Sequence, residues 1–325
     1  KKAPYIVCVL ITDALALAGA FAGGSVTIFS MSERFSFTFT PDKISLWFLI
    51  AVLAVYTFVL IYAFVYMQKE EHVASFFSFY FISLGALIAI CMAANLITIY
   101  FAFEVTTLST VPLVLHERTK ESFAAGMKYL FYSIGGALLG LLGVFCLYHY
   151  SMEGSITFTL GGVLDLSRTA GHEPLLYLAF FLAIVGYGTK AGMFPMHGWL
   201  PTAHPLAPAP ASALLSGIIA KTGILVIIRF VFYSIGPDFL RGTWVQTAWI
   251  ILCLITIFMG SMMAFREQNL KKRLAYSTVS QLSYALLGLA LLTQEGLNGS
   301  LLQVMQHASA KTCLFLCAGA FIWKY

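Results

Sequence analysis

Apolar residues recur along the chain in ten long runs, separated by short stretches that contain charges, prolines or glycines. A helix that crosses a bilayer takes about 20 mainly apolar residues, which matches the length of these runs. We divide the third from the fourth at Ala93-Ala94-Asn95, because 74–115 is too long for one span. The pattern predicts helices over 5–28, 44–67, 74–93, 96–115, 123–149, 174–197, 208–233, 245–265, 275–293 and 299–322. The predicted fold is an all-α polytopic membrane bundle of about ten transmembrane helices.

Two neighbouring segments, the sixth and the seventh, carry residues that interrupt helices. Proline lacks the backbone N–H that a helix needs and clashes with the preceding turn. Irregular backbone persists at membrane depth only where protein buries it or where it lines a water-filled cavity, and transporters place such breaks at ion sites. The prolines concerned are Pro195 in the sixth segment and Pro201, Pro205, Pro208 and Pro210 before or at the start of the seventh. The sequence therefore predicts two discontinuous helices near a functional centre.

Composition excludes several classes of protein. Of the 325 residues 60% are hydrophobic and 10% are charged, whereas soluble domains carry about 25% charged residues. The basic residues are scattered and form no stripe, so nucleic-acid binding is not expected. The six cysteines lie inside apolar segments without a CxxC pair, which argues against a disulfide framework, a zinc site or an iron–sulfur site. Neither a Rossmann glycine pattern nor a Walker lysine loop is present, so we expect no cofactor and no metal in this chain.

The basic residues are distributed unequally between the two faces that ten spans create. If the odd-numbered helices start on one side, that side collects Lys1, Lys2, Lys69, Arg118, Lys120, Lys128, Arg266, Lys271, Lys272, Arg273 and Lys324. The other side holds Arg34, Lys43, Arg168, Arg229 and Arg241. The positive-inside rule then places Lys1 and the 266–273 loop in the cytoplasm of a cell whose inner or plasma membrane holds the chain.

Three lysines and one glutamate remain inside predicted spans: Lys190, Lys221, Lys311 and Glu104. An ionised group at the bilayer centre costs about 2.5–3.5 kcal/mol, so four of them indicate a shared interior with a function. A nearby opposite charge favours the ionised form of a buried group, and burial alone favours the neutral form. Glu104 and Lys190 could thus form a proton switch that passes a proton on to Lys221. The alternative is that these groups form static buried pairs or line an inert water pocket.

Three histidines are further candidates for proton transfer. His307 and Lys311 are four residues apart and share one helix face, so they could exchange a proton through water. The alternative for His307 is a hydrogen bond to a neighbouring carbonyl. His197 and His204 flank the proline-rich break, where they are candidates for proton uptake near a cytoplasmic mouth, or for loop packing.

Four stretches together resemble the antiporter-like proton-pumping family. They are 188–205 with 216–223 (GTKAGMFPMHGWLPTAHP and SGIIAKTG), 270–281 (LKKRLAYSTVSQ), and the pair Phe103-Glu104, with His307 to Lys311 similar to the next helix of some members. The family includes the pumping subunits of respiratory complex I, subunits of multisubunit sodium/proton antiporters, and pump subunits of hydrogenase-4 and energy-converting membrane hydrogenases. The resemblance covers about residues 44 to 322.

This resemblance implies a role for each embedded group and an inverted-repeat fold. Lys190 would be the switching lysine of a broken helix, Glu104 its partner, Lys221 the central relay, and His307 with Lys311 its continuation. Thr202 stands where the family usually has an acidic residue, which puts a loop ion pair in doubt. Members usually have about fourteen helices, so this chain would lack the first and the last three. The implied division is N-terminal helices in 1–73, a first five-helix repeat in 74–233 and an incomplete second repeat in 234–325.

Several functions stay open at this point. The first is a proton-translocating, or sodium-translocating, membrane subunit of a redox-driven complex of the NADH-quinone oxidoreductase or hydrogenase type, with no redox chemistry and no quinone site of its own. The second is a subunit of a multisubunit sodium/proton antiporter. Another is a stand-alone solute transporter, which would need side chains that match its ligand. The last is a purely structural subunit, in which neutralisation of Lys190 would leave transport intact. The expected partners are the lipid bilayer and other membrane subunits.

Overall fold

The computed structural model describes residues 3–30, 32 and 35–324. Lys1, Lys2 and Arg34, used above to assign the two faces, lie outside the described residues. The long helices are α1 (Ala3–Ala22), α2 (Lys43–Tyr66), α3 (Val73–Met92), α4 (Leu96–Val114), α5 (Lys120–Tyr150), α7 (Glu173–Ala191), α12 (Trp244–Arg266), α13 (Leu270–Ala290) and α14 (Gln294–Lys324). The shorter ones are α6 (Leu166–Thr169), α8 (Leu200–Leu206), α9 (Ala209–Gly217), α10 (Thr222–Phe230) and α11 (Pro237–Leu240), and two strands, β1 (Val26–Ser30) and β2 (Ser36–Phe39), complete the list.

Each of the ten predicted segments coincides with a helix or a broken helix, so the helical bundle is confirmed. Eight helical segments within the described residues are long and apolar enough to cross a membrane, counting Ala209–Ile235 as one. The other two predicted spans are α13 and α14. Both are long, but polar residues lower their hydropathy, and many of these residues are buried against the rest of the bundle.

The first predicted helix is too long, and its end is a β-hairpin. Helix α1 ends at Ala22, and Gly23 and Gly24 follow with φ of +68° and +96°, a region that favours glycine. The next residues form β1, which pairs with β2 in an antiparallel ladder. Val26 to Phe29 are β-branched or aromatic, which suits a strand. The all-α prediction therefore needs this one correction.

Both predicted interruptions are present, at boundaries that differ from the prediction. The sixth segment ends at Ala191 instead of 197, because Gly192 has φ +77° and its N–H caps the carbonyls of Gly188 and Thr189. The seventh is broken between α9 and α10 by a 3₁₀ turn over Ile219–Lys221, and a π-helical turn over Val231–Ile235 follows α10. These two discontinuous segments place Lys190 and Lys221 at helix breaks.

A buried ion pair joins α10 to the start of α2. The guanidinium of Arg229 is only 1% exposed and donates to both carboxylate oxygens of Asp42, at 2.6 and 2.7 Å, and to Ser45 Oγ at 3.0 Å. Asp42 also caps α2 by accepting from the Ser45 N–H. Burial acts to raise the pKa of Asp42, but the hydrogen bonds and charge of Arg229 outweigh it and hold the pKa below its usual value. Arg229 thus forms an ion pair inside the bundle, whereas the sequence analysis counted it among the loop charges of one membrane face.

Candidate functional site

Lys190 lies at the C-terminal end of α7 and points into the bundle. Its side chain is 1% exposed, and its ammonium donates a hydrogen bond to Thr107 Oγ1 on α4. The Nζ atom also stands 4.7 Å from the ring centroid of Phe103 and 5.5 Å from that of Tyr129. Aromatic faces attract a cation, which offsets part of the cost of burying it. The lysine is therefore held by a hydroxyl and two ring faces.

Close helix packing fixes the position of Lys190. Gly136 on α5 faces Gly186 on α7, and a Cβ on either glycine would lie 2.3–2.5 Å from the backbone oxygen of the other. On the other side of α7, a Cβ on Gly223 would lie 3.0 Å from Lys190 Cβ. The small residues let both neighbouring backbones approach the helix, as small residues do in membrane bundles. Lys190 thus has little freedom to shift with its backbone.

Glu104 lies on α4, three residues before Thr107, and is half-buried. It interacts electrostatically with Lys190. None of the ion pairs within 4.0 Å among the described residues joins the two, because the lysine ammonium is bonded to Thr107 instead. The Oε1 atom of Glu104 is buried without a hydrogen-bond partner in the described structure. The structure therefore brings the predicted pair together as neighbours that are not in contact.

The second group centres on Lys221, at the break between α9 and α10. The break frees the carbonyl of Ser216 from its helical partner, and the fully buried Lys221 ammonium donates to it. The hydroxyls of Ser216 and Thr278 are 2.7 Å apart, which links Ser216 to α13. The helix break thus supplies the acceptor that the buried lysine needs.

His307 and Lys311 complete the second group from α14. Both side chains are 4% exposed, and the Lys311 ammonium donates to Leu274 O at 3.1 Å. Lys221 and Lys311 both interact electrostatically with His307, whose ring nitrogens have no hydrogen-bond partner in the described structure. The alternative considered for His307, a hydrogen bond to a neighbouring carbonyl, is therefore not observed in the described structure. The three titratable groups Lys221, His307 and Lys311 share one interior region.

The two histidines beside the proline-rich break occupy different environments. His197 is half-buried and stacks on Phe194 at 5.9 Å between ring centroids. Burial and the charge of Lys128 lower the pKa of His197. His204 is fully buried and stacks on Phe315 at 4.7 Å, so it lies inside the bundle and not at an open mouth.

At Thr202, where the family pattern has an acidic residue, the loop keeps a polar contact in place of an ion pair. Lys128 Nζ donates to Thr202 Oγ1 at 3.0 Å. The hydroxyl accepts this bond without adding a charge. The contact between α5 and α8 is thus retained, and the charge of Lys128 is not neutralised by it.

The sequence interpretation missed the hydroxyl and aromatic residues that hold Lys190. Thr107 and Tyr129 contact the lysine directly. Tyr129 is held in turn by Thr110, whose hydroxyl is 2.8 Å from its Oη, and by Trp199, which stacks on it at 4.4 Å and donates from Nε1 to Thr189 O at 2.8 Å. The spacing of Glu104, Thr107 and Thr110 by three residues was an available signal, because it places them on one helix face.

Comparison with known families gives two matches. Residues 93–324 match the family described as NADH:quinone oxidoreductase/Mrp antiporter, TM, and residues 28–77 match the one described as NADH-ubiquinone oxidoreductase (complex I), chain 5 N-terminus. The first match covers more than half of the chain and includes all seven of the predicted site residues.

Three relatives illustrate the range of the similarity. The chain is 33% identical over 302 residues to hydrogenase-4 component B of Escherichia coli (88% of this chain, 43% of the relative). It is 31% identical over 270 residues to NADH-quinone oxidoreductase subunit N of Desulforudis audaxviator (82% and 52%). It is 28% identical over 266 residues to a Na(+)/H(+) antiporter subunit of Alkalihalophilus pseudofirmus (80% and 52%). The chain spans about half the length of these relatives.

Two solved structures share the fold. A chain of the Mrp complex from Dietzia sp. superposes with a TM-score of 0.81 at 22% identity, covering 97% of this chain and 58% of that one. A chain of the membrane-bound sulfane sulfur reductase, an archaeal respiratory membrane complex, gives a TM-score of 0.82 at 20% identity, covering 98% and 65%. The helical bundle is therefore the fold of subunits of multisubunit membrane complexes.

Proposed function

The chain belongs to the NADH:quinone oxidoreductase/Mrp antiporter membrane family, and from this premise we propose that it moves protons across a bilayer as a subunit of a redox-driven membrane complex. Glu104 and Lys190 form the switch of this relay. Lys221, His307 and Lys311 carry the proton onward, and His204 takes part in its uptake. The partners are other membrane subunits, and the redox cofactors belong to them.

The observation that carries this proposal is the burial of three lysines in one interior. Lys190, Lys221 and Lys311 are each at most 4% exposed, and none is in an ion pair within 4.0 Å in the described structure. Each ammonium group donates a hydrogen bond to one hydroxyl or carbonyl oxygen. Static buried charges are normally paired, because an unpaired one costs several kcal/mol. Lysines without counter-ions at helix breaks suit groups that gain and lose protons.

The relay has a physical basis in the distance between its carboxylate and its first lysine. Glu104 interacts with Lys190 without contact, so a small movement of either side chain changes the attraction strongly. When Glu104 approaches, its charge favours the protonated form of Lys190. When Glu104 withdraws, the lysine is a buried cation without a counter-charge, and loss of its proton becomes favourable. The Lys190 proton then has acceptors at the break before α10 and on α14. A redox partner would drive the cycle by moving α4 or α7.

Sodium is the alternative coupling ion, since one relative is named as part of a Na(+)/H(+) antiporter. Hard cations such as sodium prefer oxygen ligands, and several of them at once. Around the three lysines, the interior of the described bundle offers histidines, one half-buried carboxylate, Glu104, and hydroxyl and carbonyl oxygens that already accept from the ammonium groups. This chemistry favours protons as the ion that the chain itself carries.

The orientation follows from the charged loops that meet at one end of the bundle. Lys69 packs on the Trp323 ring at 3.7 Å, and Glu70 and Glu117 interact electrostatically with Lys271. The loops after α2, α4 and α12 and the end of α14 thus share one face. We propose that this face is cytoplasmic in a bacterial-type inner or plasma membrane.

The test is proton transport by the full-length protein in its complex, reconstituted in vesicles. The variants are Lys190→Ala, Glu104→Ala and the matched control Lys272→Ala, which removes a lysine that pairs with Glu267 at the surface. We expect the first two to abolish pumping while assembly stays normal, and the control to pump like the native protein. Pumping that persists in Lys190→Ala would show that the embedded charges are structural.

Replacing sodium in the same assay separates the coupling ions. Proton uptake or release that continues in sodium-free buffer supports protons as the carried ion. Transport that needs sodium and responds to its concentration would instead favour the antiporter function.

A further inference from the structure

Lys271 belongs to the basic stretch that the sequence assigns to topology, yet its side chain is turned inward. It is 7% exposed, and its ammonium donates to Ala207 O at 3.0 Å. The neighbouring Lys272 is 40% exposed and pairs with Glu267 at 2.8 Å. Adjacent lysines on α13 therefore differ in environment. Lys272 is a surface charge, and Lys271 is buried next to the break between α8 and α9.

A cleft of about 640 Å³ opens directly onto Lys271 at this end of the bundle. Its polar wall consists of Lys69, Glu70, Glu117, Asn269 and Lys271, and the rest of the wall is Tyr66, Pro205, Leu270, Phe321, Ile322 and Trp323. Both carboxylates interact electrostatically with Lys271. Burial and the repulsion of Glu117 raise the pKa of Glu70, against the opposing charge of Lys271.

His204 lies behind this wall. Pro205, the next residue, lines the cleft, while the His204 side chain is fully buried and neither of its ring nitrogens has a hydrogen-bond partner in the described structure. Buried polar groups are nearly always satisfied, so an imidazole in this state calls for an explanation. Its electrostatic neighbours are Lys311, Lys271 and Lys221. His204 thus interacts with both the cleft lysine and the two central lysines.

Contacts made by residues of α13 and α14 connect these groups. Lys311 Nζ donates to the carbonyl of Leu274, one turn beyond Lys271 on the same helix. Phe315, which stacks on His204, is one turn beyond Lys311 on α14. Of these four groups, Lys271 is the one that lines the cleft, and His204, Lys311 and Lys221 are buried around it in the bundle. His197 does not belong to this set, since it packs on Phe194 and is affected by Lys128.

We propose that Lys271, fed by the Glu70 and Glu117 carboxyls, is the group through which protons leave the cleft for His204 and the central lysines. The inference rests on the proposed function and adds to it the uptake route. A carboxyl binds a proton from water and transfers it to the neutral amine of Lys271, so that one O–H bond breaks and one N–H bond forms. The ammonium then gives a proton to a nitrogen of His204, which passes it to the amine of Lys311 or Lys221. One proton moves at each step and no other reactant is consumed.

The groups that face Lys271 come from several elements, and each belongs to the route or its surroundings. Tyr66, Lys69 and Glu70 lie at or just after the end of α2, and Glu117 follows α4. His204 on α8 interacts with it from the interior, and Lys311 on α14 bonds to Leu274 O, one turn further along α13. Because the carboxylates are on the water side and the histidine is on the bundle side, Lys271 is the bridge between them.

The experiment compares Lys271→Met, Lys271→Arg and the surface control Lys272→Met in the full-length complex in vesicles. Arginine keeps the positive charge and the donor for Ala207 O, but it does not release its proton. We expect at least tenfold slower pumping in both Lys271 variants and native pumping in Lys272→Met. A structural role would predict that Lys271→Arg pumps normally, and that result would overturn the proposal.

A second comparison uses the acidity of the medium on the cleft side. In the double variant Glu70→Gln/Glu117→Gln, pumping should be several-fold slow at pH 8 and return toward the native rate at pH 6, where water supplies protons directly. A deficit that is equal at both values, or no deficit, contradicts the carboxyls' role. Lys190→Ala separates the two proposals. If it abolishes pumping and Lys271→Arg does not, the relay stands and this uptake route fails; if neither affects pumping, the relay itself fails.

Discussion

The contact between α5 and α7 makes a sharp prediction, because two adjacent glycines of α5 differ in what surrounds them. A Cβ on Gly136 would lie 2.5 Å from Gly186 O and 2.7 Å from Thr189 Oγ1, distances that real Cβ atoms essentially never show. A Cβ on Gly135 would meet nothing within 4 Å. Gly136→Ala therefore forces the helices apart, and overpacking of this kind costs about 1–3 kcal/mol. Gly135→Ala adds no clash and gains up to about 1 kcal/mol of helix propensity.

The two variants should thus differ in stability by about 2–4 kcal/mol, which combines the overpacking and propensity terms. Thermal unfolding of the full-length protein in detergent should show this as a midpoint lower by at least about 4 °C in Gly136→Ala than in Gly135→Ala. Because Thr189 precedes Lys190, pumping in vesicles should also be slower in Gly136→Ala alone. Equal midpoints and equal pumping rates would refute the reasoning that glycine contact positions the lysine.

Three other perturbations follow from the described contacts. Asp42→Asn should lower the stability by about 3–5 kcal/mol because it leaves the buried Arg229 charge unpaired. Arg229→Met should lower it less because the Asp42 side chain is 37% exposed to solvent. Thermal unfolding midpoints of the two variants test this order. Arg229 holds the pKa of Asp42 below its usual value of about 3.9, so the ion pair stabilises the fold fully above about pH 3.9 and stops doing so as the pH falls through the lowered pKa. In that acidic range the thermal midpoint of the native protein should drop more than the midpoint of Asp42→Asn. Gly217→Ala should destabilise because its Cβ would lie 2.3 Å from Thr312 Oγ1, and Thr312→Ala should restore much of the loss, which a double-mutant cycle of midpoints measures.

The sequence was sufficient to predict the helices and the embedded charges, because both follow from hydropathy alone. Lys190, Lys221 and Lys311 are flanked by apolar residues and are all buried in the structure. Both segments are discontinuous, as the prolines indicated, but the breaks lie at Gly192 and at Ile219–Lys221 and not at the prolines themselves. The end of α7 was misplaced because Gly192, which terminates it, is one of several glycines near Lys190 and none of them is distinguished by hydropathy.

Contacts between distant segments could not be predicted in the same way. Val26 to Phe29 form an apolar run that continues the first helix as well as it forms a strand, and only the pairing with Ser36–Phe39 decides between them. Lys271 and Lys272 are adjacent and chemically identical, so their opposite environments depend on the helix faces that meet Ala207 and Glu267. Thr107 became a partner of Lys190 only when α4 and α7 packed together.

The central claim is that Glu104 and Lys190 act as one unit in proton transport. The most direct measurement is the pumping rate of the full-length complex in vesicles for Glu104→Gln, Lys190→Met and the double variant, each with its assembly confirmed. Residues that act as a unit show strongly non-additive losses. The account predicts that the double variant pumps no more slowly than the slower single variant. Losses that multiply, with each single variant retaining substantial pumping, would show that the two residues act independently and would contradict the switch.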